Sequence, residues 1–175
     1  MTGKLSWPGL LALMLMVALS APSSRAACQM SNKVLRTMPP GEVEFIRADG
    51  SRLTLAVLIA ANGFQRAQGF QNVCAERIAQ TPILFDMQAE VVPSFHMRNV
   101  VSALDIAFID AGGRIESIQH MPVYTNEADS KQRYRPNRRI RAALETTPGY
   151  FALHNIDVST KLSWRQVSVV GPQDE

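Results

Sequence analysis

The stretch from residue 104 to residue 121 constrains the fold more than any other part of this chain. Its first six residues alternate with the period of a β-strand, with Leu104, Ile106 and Phe108 on one face and Asp105, Ala107 and Ile109 on the other. Both faces are mostly apolar, so the strand is predicted to be covered on both sides. The next four residues, Asp110 to Gly113, are of types that accept the positive φ of tight hairpins. The pattern therefore predicts an antiparallel hairpin of Leu104–Ile109 with Arg114–Met121.

Asp105 is the exception in this strand, because it places a carboxyl group on a face shared with Ala107 and Ile109. An ionised carboxylate buried alone is costly, so Asp105 needs a partner or a water-filled pocket. Arg98 and Asn99 lie just upstream and are its nearest candidate partners in sequence. Two interpretations remain open: a structural carboxylate that holds the connection before the strand, and an acid that faces a ligand.

The residues around this strand carry a resemblance to a known family. Phe95-His96-Met97-Arg98-Asn99, followed by the strand and its turn, resembles the signature of a bacterial and archaeal family, domain of unknown function 192. The likeness extends over roughly residues 53–164, including Arg66–Gly69, Ile83–Phe85, Ala143–Glu145 and Gly149–Phe151. His96 after the aromatic residue and Val100 in place of a common Thr depart from the pattern. The resemblance implies a compact, mostly β fold similar to a sandwich or barrel, and no established activity.

Further strands and short helices are predicted on either side of the hairpin. Alternating apolar residues indicate a strand over Leu53–Ile59, after a hairpin signal at Asp49-Gly50. Asn62 suits the start of a short helix over residues 63–68. Thr147 suits the start of another, with Pro148 in its first turn and Asn155 at its left-handed end. We expect a mostly β fold, sandwich or barrel-like with antiparallel hairpins, and two or three short helices.

The first 26 residues have the layout of a secretory signal peptide. Lys4 precedes an apolar core over Leu10–Leu19, which is short for a membrane span, and Ser24-Arg25-Ala26 is a small-residue cleavage pattern. An uncleaved anchor and a lipoprotein acylated at Cys28 are the alternatives. We therefore expect residues 1–26 to be a signal, 27–41 a leader segment, 42–170 one β-rich domain and 171–175 a tail, exported to the periplasm or cell envelope.

Cys28 and Cys74 are the two cysteines of the chain. Both belong to the part expected to be exported, where a disulfide between them can form and persist. Two free thiols, or a lipidated Cys28, are the alternatives. A catalytic thiol is not expected, because no Cys-His spacing supports nucleophilic chemistry.

The charge of the chain argues against nucleic acid as a partner. Without residues 1–26 the chain keeps 16 basic residues (18 less Lys4 and Arg25) and 15 acidic ones, a formal charge of +1. Basic residues are nevertheless concentrated between positions 131 and 141. This run is either a solvated, charge-guarded edge or a patch for an anionic partner such as a lipid headgroup, acidic polysaccharide or protein, with the candidate residues Arg133, Arg135, Arg138, Arg139 and Arg141.

No motif in the sequence identifies a reaction. Paired strands could bring His96 and His120 beside Asp105 or Asp110 as a metal site, but no spacing requires it, so we expect neither metal nor cofactor. No Ser lies in a nucleophile elbow. The first hypothesis is thus a monomeric, non-catalytic module that binds a small molecule or envelope partner, with candidate ligand-binding residues Phe95, Met97, Arg98, Asn99, Asp105, Tyr124 and Glu145. The alternative is an envelope hydrolase that uses Asp105 or Glu145 with His96.

Overall fold

The structure is a computed structural model that describes residues 28–168. This part of the chain forms seven strands: β1 (Pro40–Ile46), β2 (Arg52–Ala60), β3 (Ile83–Val91), β4 (Leu104–Ile109), β5 (Ile115–Met121), β6 (Ile140–Thr146) and β7 (Lys161–Gln166). Three short helices accompany them: α1 (Gly63–Gln68), α2 (Ala75–Gln80) and α3 (Tyr150–Leu153). Single 3-10 turns lie at Leu35–Thr37 and Ala128–Lys131. The prediction of a mostly β fold with a few short helices is confirmed.

The strands form one mixed sheet in the order β5-β4-β6-β3-β2-β1-β7. The pairing of β2 with β3 is parallel, and the connection between these two strands contains α1 and α2. The sheet curls so that its two edge strands, β5 and β7, meet. At this point the Leu162 amide donates to the Gly113 carbonyl at 2.7 Å. Gly113 has a φ of 75°, and a Cβ there would collide with the Leu162 carbonyl oxygen. Glycine is thus required at the point where the edges join into a barrel-like closure.

The hairpin expected from the sequence is present as β4 and β5. Leu104 pairs with Met121 and Asp105 with His120, in antiparallel register. The Asp110 carboxylate holds the turn, since it accepts hydrogen bonds from the amides of Gly112 and Arg114 at 2.8 and 2.9 Å. The local residue types therefore favour the turn, and a bulge between Phe108 and Ile109 shifts the register of the pair beyond it.

Apolar residues form a cluster on each face of the curled sheet. The inner cluster is shared by strands from all around the sheet and by α3, with Phe45, Ile59, Ala107, Leu144, Phe151 and Leu162 among its members. The helix-side cluster lies between the opposite face and the segments that cover it, with Leu35, Phe70, Ile78, Met97, Ile106 and Phe108 among its members. β4 contributes to both clusters, which explains why both of its faces are apolar.

The predicted start is correct for α1 and wrong for α3. Asn62 caps α1 in a reciprocal capping box with Gln65, as its residue type predicted. The prediction that Thr147 caps the next helix is wrong, because α3 starts only after Gly149, whose φ is 78°. Asn155 does take the left-handed conformation expected of it, with a φ of 54°.

The segment before β1 is attached to the domain at several points. Cys28 and Cys74 are joined as a disulfide, with their Cα atoms 4.8 Å apart. Gln29 bridges Val73, and Leu35 is 1% exposed within the helix-side cluster. No helix among residues 28–168 is long and apolar enough to cross a membrane. The predicted signal peptide and acidic tail lie outside the described residues.

Candidate functional site

A cleft of about 260 Å³ opens on the helix-side face of the sheet. Its walls come from α1 and the turn after it, from β3, from the connection between β3 and β4, and from β6. Most of the lining is aromatic or apolar, with these residues among it: Ala67, Phe70, Phe85, Met87, Pro93, Phe95 and Val100. Polar groups come from Arg66, Gln68, Gln71, Ser94, His96 and Glu145. A mostly apolar cleft with a few convergent polar side chains is typical of small-molecule sites.

Buried aromatic rings line this cleft, and we refer to them as its floor. Phe70 and Phe85 are each 2% exposed. Phe95 packs edge-on against Phe85, with ring centroids 5.2 Å apart, and its ring lies 5.8 Å from that of Phe108. Such edge-to-face contacts hold rings in defined orientations. The floor is therefore a fixed apolar surface.

Glu145 is the one acidic residue among those that line the cleft. On the sheet it lies between Ile106 of β4 and Ile83 of β3, both of which point to the same face. It is 6% exposed, and no group among residues 28–168 hydrogen-bonds to its carboxyl group, whose oxygens are not among the fully buried atoms that lack a partner. Burial raises the pKa of Glu145 to about 8. At neutral pH the group is mainly a protonated acid that can donate one hydrogen bond into the cleft.

His96 lies at the mouth of the same cleft. Its Nδ1 is buried and finds no hydrogen-bond partner among residues 28–168. Burial lowers the pKa of His96, and the charges of Arg98 and Arg133 lower it further. The imidazole is therefore neutral at pH 7, and two arginine side chains lie close enough to influence it.

Two further arginine residues, Arg66 in the cleft lining and Arg135 outside it, are held by uncharged groups. Arg66 of α1 donates from Nη1 to the Asp86 carbonyl at 2.9 Å. Arg135 donates from Nε to the Ser94 hydroxyl at 3.2 Å. Ser94 lines the cleft, so Arg135 lies next to its lining, although neither Arg133 nor Arg135 is a lining residue.

Asp105 lies on the opposite face of the sheet and does not line the cleft. Its Oδ1 is 2.7 Å from Nδ1 of His120, and its Oδ2 accepts a hydrogen bond from the Gly149 amide at 2.7 Å. The expected partners were Arg98 and Asn99, and this expectation is wrong. Arg98 is exposed, and the Asn99 carbonyl instead accepts from the Asn72 amide at 2.7 Å.

Of the seven residues proposed for the ligand site, Phe95 and Glu145 line the cleft. Met97 is 1% exposed and belongs to the core, and the Tyr124 hydroxyl donates to the Gln132 carbonyl at 2.7 Å. The sequence reasoning did not place Arg66, Phe70 and Phe85 in the site. Arg66–Gly69 did carry part of the family resemblance, which was the available signal for this wall.

The proposed anionic-partner patch is divided in the structure. Arg141 is half-buried, forms an ion pair with Asp86 and lies 5.8 Å from the Trp164 ring, so it does not belong to an exposed patch. Burial acts to raise the pKa of Asp86, but Arg141 and other donors hold it below its usual value. The remaining four arginine residues of the proposed patch, at positions 133, 135, 138 and 139, are exposed.

No group of three or more potential metal ligands occurs among residues 28–168. One pairing considered for a metal site, His120 with Asp105, does form. His96 does not join it, because His96 lies at the cleft. The described side chains therefore bring together an acid, an imidazole and aromatic rings, and the site is suited to binding an organic molecule.

Comparisons with known proteins agree with this fold. No curated protein matches the chain. A proposed transcription regulator from Sinorhizobium meliloti 1021 has a TM-score of 0.64 at 23% identity, with 73% of this chain and 95% of that chain covered. A protein of unknown function from Novosphingobium aromaticivorans DSM 12444 has a TM-score of 0.61 at 22% identity, with 70% and 84% covered.

At these identities the two structures show a shared fold and nothing about activity. The model of the family domain of unknown function 192, described as an uncharacterized ACR, matches residues 44–164, which is more than half of the chain. This chain therefore belongs to the family domain of unknown function 192.

Proposed function

We propose that this protein is an exported, non-catalytic domain that binds a small organic molecule in the cleft around Glu145. One observation carries the proposal: a buried carboxyl group without a partner in the described chain faces a cleft with an aromatic floor. A buried polar group that makes no hydrogen bond costs folding free energy. A ligand that accepts a hydrogen bond from Glu145 offsets this cost, so binding and the burial of the acid are linked.

Export is part of the proposal and rests on the sequence of the first 26 residues. The Cys28–Cys74 disulfide is compatible with an oxidising compartment, where such bonds persist. Intact-mass measurement of the envelope fraction tests this point. A mass that begins at Ala27 is expected, and a full-length or acylated mass would contradict the cleaved, soluble form.

An acid–base enzyme is the second candidate, because Glu145 and His96 line one cleft. Asp105 takes no part in it, since it lies on the other face of the sheet. The two candidates differ in what they require of Glu145. Binding needs a hydrogen-bond donor, whereas general acid catalysis needs a transferable proton. Glu145→Gln keeps a donor and removes the transferable proton, so it separates the two.

The test is a ligand-observed NMR screen of small organic compounds against the mature protein and four variants of it. Ala67 lines the cleft from α1 and is exposed, so Ala67→Trp should obstruct the cleft without disturbing the core. Ala79 is exposed on α2 away from the lining, and Ala79→Trp is the matched control. Glu145→Leu removes the donor that Glu145→Gln keeps.

We expect compounds that bind the parent and Ala79→Trp, that are lost in Ala67→Trp, and that weaken in Glu145→Leu more than in Glu145→Gln. Binding that ignores Ala67→Trp, or an absence of any binding compound, would refute a ligand site in this cleft. Conversion of a bound compound by the parent but not by Glu145→Gln would favour the enzyme.

A further inference from the structure

We infer that the Cys28–Cys74 disulfide controls the cleft by holding one of its walls in place. The wall is residues 66–74, and the strap that holds it is residues 28–35, which the disulfide fastens to the wall. When the disulfide is reduced, the strap comes loose, the wall becomes mobile and a ligand binds more weakly, while the sheet stays folded. The effect on binding rests on the proposed function, whereas the effect on the wall does not.

The wall supplies a continuous part of the cleft lining. Residues 66–71 follow one another from α1 into the turn beyond it, and each of them lines the cleft. Phe70 is the buried ring among them, at 2% exposed. The position of this short segment therefore decides the shape of the cleft.

The strap runs beside the C-terminal end of the wall. The Gln29 amide donates to the Asn72 carbonyl at 2.9 Å, and the Gln29 carbonyl accepts from the Cys74 amide at 3.0 Å. Asn32 is 8% exposed, and its Nδ2 donates to the Gln71 carbonyl at 3.4 Å. The strap thus bonds to the wall at and next to the residues that line the cleft.

The two ends of the strap are anchored differently. Leu35 is 1% exposed within the helix-side cluster, so this end stays packed in either redox state. Gln29 and Met30 are exposed, so the other end depends on the disulfide and on hydrogen bonds that water can reach. A cross-link limits how far this end can move and thereby keeps those bonds formed. Without the cross-link they open more often, as is usual for exposed terminal segments.

Other bonds of the wall do not involve the strap and remain after reduction. Arg66 donates to the Asp86 carbonyl at 2.9 Å, and the Asn72 amide donates to the Asn99 carbonyl at 2.7 Å. These bonds keep the wall beside the sheet. Reduction should therefore loosen the wall without unfolding the domain.

The two sulfur atoms of the disulfide differ in access, because Cys28 is exposed and Cys74 is 6% exposed. A thiolate of an external dithiol can attack Sγ of Cys28; the S–S bond breaks, and its electron pair passes to Sγ of Cys74, which takes up a proton. The second thiol of the dithiol then attacks the mixed disulfide at the dithiol's own sulfur. This step releases Cys28 as a thiol and leaves the dithiol oxidised to a disulfide.

The test compares the oxidised mature protein with the same protein reduced by dithiothreitol. The probe is 2-acetylnaphthalene, whose rings suit the aromatic floor and whose ketone oxygen can accept a hydrogen bond from Glu145. We expect calorimetry to show about tenfold weaker binding after reduction, because a wall that is in place about a tenth of the time lowers the affinity by that factor. Cys28→Ser should bind as weakly with or without dithiothreitol, since it removes only the exposed sulfur.

Hydrogen exchange measured by mass spectrometry reports on the wall without any ligand. Amides of residues 69–74 donate to backbone carbonyls, so they should be protected in the oxidised protein and exchange faster after reduction. Protection of β4 and β5 should not change. Ile156→Ala is the control for a general loss of stability, because Ile156 is 3% exposed in the inner cluster on the opposite face. It should bind the probe as the parent does.

Asn32→Ala decides the question if Cys28→Ser fails to fold, because it keeps the disulfide and removes a bond between strap and wall. It should weaken the probe about threefold and speed exchange in the wall. Equal affinity and equal exchange in the oxidised and reduced proteins overturn the inference while cleft binding stands. Equal weakening by Ile156→Ala, or loss of protection throughout the sheet on reduction, also overturns it.

Failure of the proposed function gives a different result. If the probe binds neither redox form, or if Ala67→Trp leaves its binding intact, the ligand site in this cleft is refuted. Faster exchange confined to the wall after reduction would still support its control by the disulfide, and unchanged exchange would overturn that control as well.

Discussion

Asp105 and Glu145 lie one register position apart on neighbouring strands and have opposite surroundings. Asp105 pairs with Thr146, and Ile106 pairs with Glu145, so the two carboxyl groups point to opposite faces of the same sheet. Asp105 stands near the end of its strand, where His120 and the Gly149 amide each lie 2.7 Å away. Glu145 stands between isoleucine residues and has no such partner in the described chain.

Because of this difference, the Asp105 carboxylate stabilises local structure, whereas the Glu145 carboxyl group remains available to a ligand. A group with two good hydrogen bonds at a strand end stabilises local structure and has little capacity left. A group whose hydrogen-bonding capacity is unused inside a cleft costs stability, and this cost persists unless something else recovers it. Replacing Glu145 by a neutral residue should therefore raise the free energy of unfolding, and removing the Asp105 carboxylate should lower it.

The largest effect is expected at Glu145, and it should depend on pH. A folded-state pKa of about 8, above the ordinary glutamate value of 4.5, means that between these two pH values the folded protein holds a proton that the unfolded chain releases. The contribution of Glu145 to stability therefore falls as pH rises from about 5 to about 8. Glu145→Gln should be more stable than the parent at pH 8 by a few kcal/mol, with a smaller gain at pH 5.

Urea denaturation at a series of pH values measures this difference, with Glu76→Gln on the exposed side of α2 as the control. A gain in stability that stays constant across the pH range would show that Glu145 is not held as a neutral acid. A loss of stability at every pH would show that it has a partner in solution, and the comparison with Asp105 would then fail.

A smaller effect of the opposite sign is expected at Asp105. Asp105→Ala removes the acceptor for His120 and for the Gly149 amide, both of which can turn to water because they are exposed. The loss should be about 1–2 kcal/mol at neutral pH, which is typical of hydrogen bonds whose partners can be rehydrated. His120→Ala should cost less, since the Gly149 bond remains. If Asp105→Ala is as stable as the parent but no longer binds the cleft probes, Asp105 is functional after all.

Features that depend on adjacent residues could be predicted from the sequence, whereas contacts between residues far apart in sequence could not. The period of β4, the Asp110–Gly113 turn and the Asn62 cap all depend on adjacent residues, and each is present in the structure. The partner of Asp105 does not follow from the turn, because counting back from the Ile109–Ile115 pair would place Gln119 opposite, and a bulge between Phe108 and Ile109 shifts the register to His120. The nearness of Arg98 in sequence was misleading, since the connection after it turns away through Asn99, with a φ of 60°.

The position of Glu145 depends on contacts far apart in sequence. Its neighbours Ile83 and Ile106 belong to strands 62 and 39 residues away (145 less 83, and 145 less 106), and the register between them is not encoded by any local pattern. Phe70 reaches the cleft through the crossover from β2 to β3, whose parallel pairing the sequence reasoning did not predict. The acid itself was a candidate, but its environment could be known only from the assembled sheet.

The smallest effect is expected at Arg98, which sequence proximity had made the partner of Asp105. Arg98 is exposed and makes no side-chain bond within the described residues, so Arg98→Ala should change the free energy of unfolding by no more than about 0.5 kcal/mol. Combined with Asp105→Ala, its effect should add without coupling, because the two side chains share no contact. A double-mutant cycle by urea denaturation measures this term. A coupling energy well above about 0.5 kcal/mol would restore the Arg98–Asp105 pair.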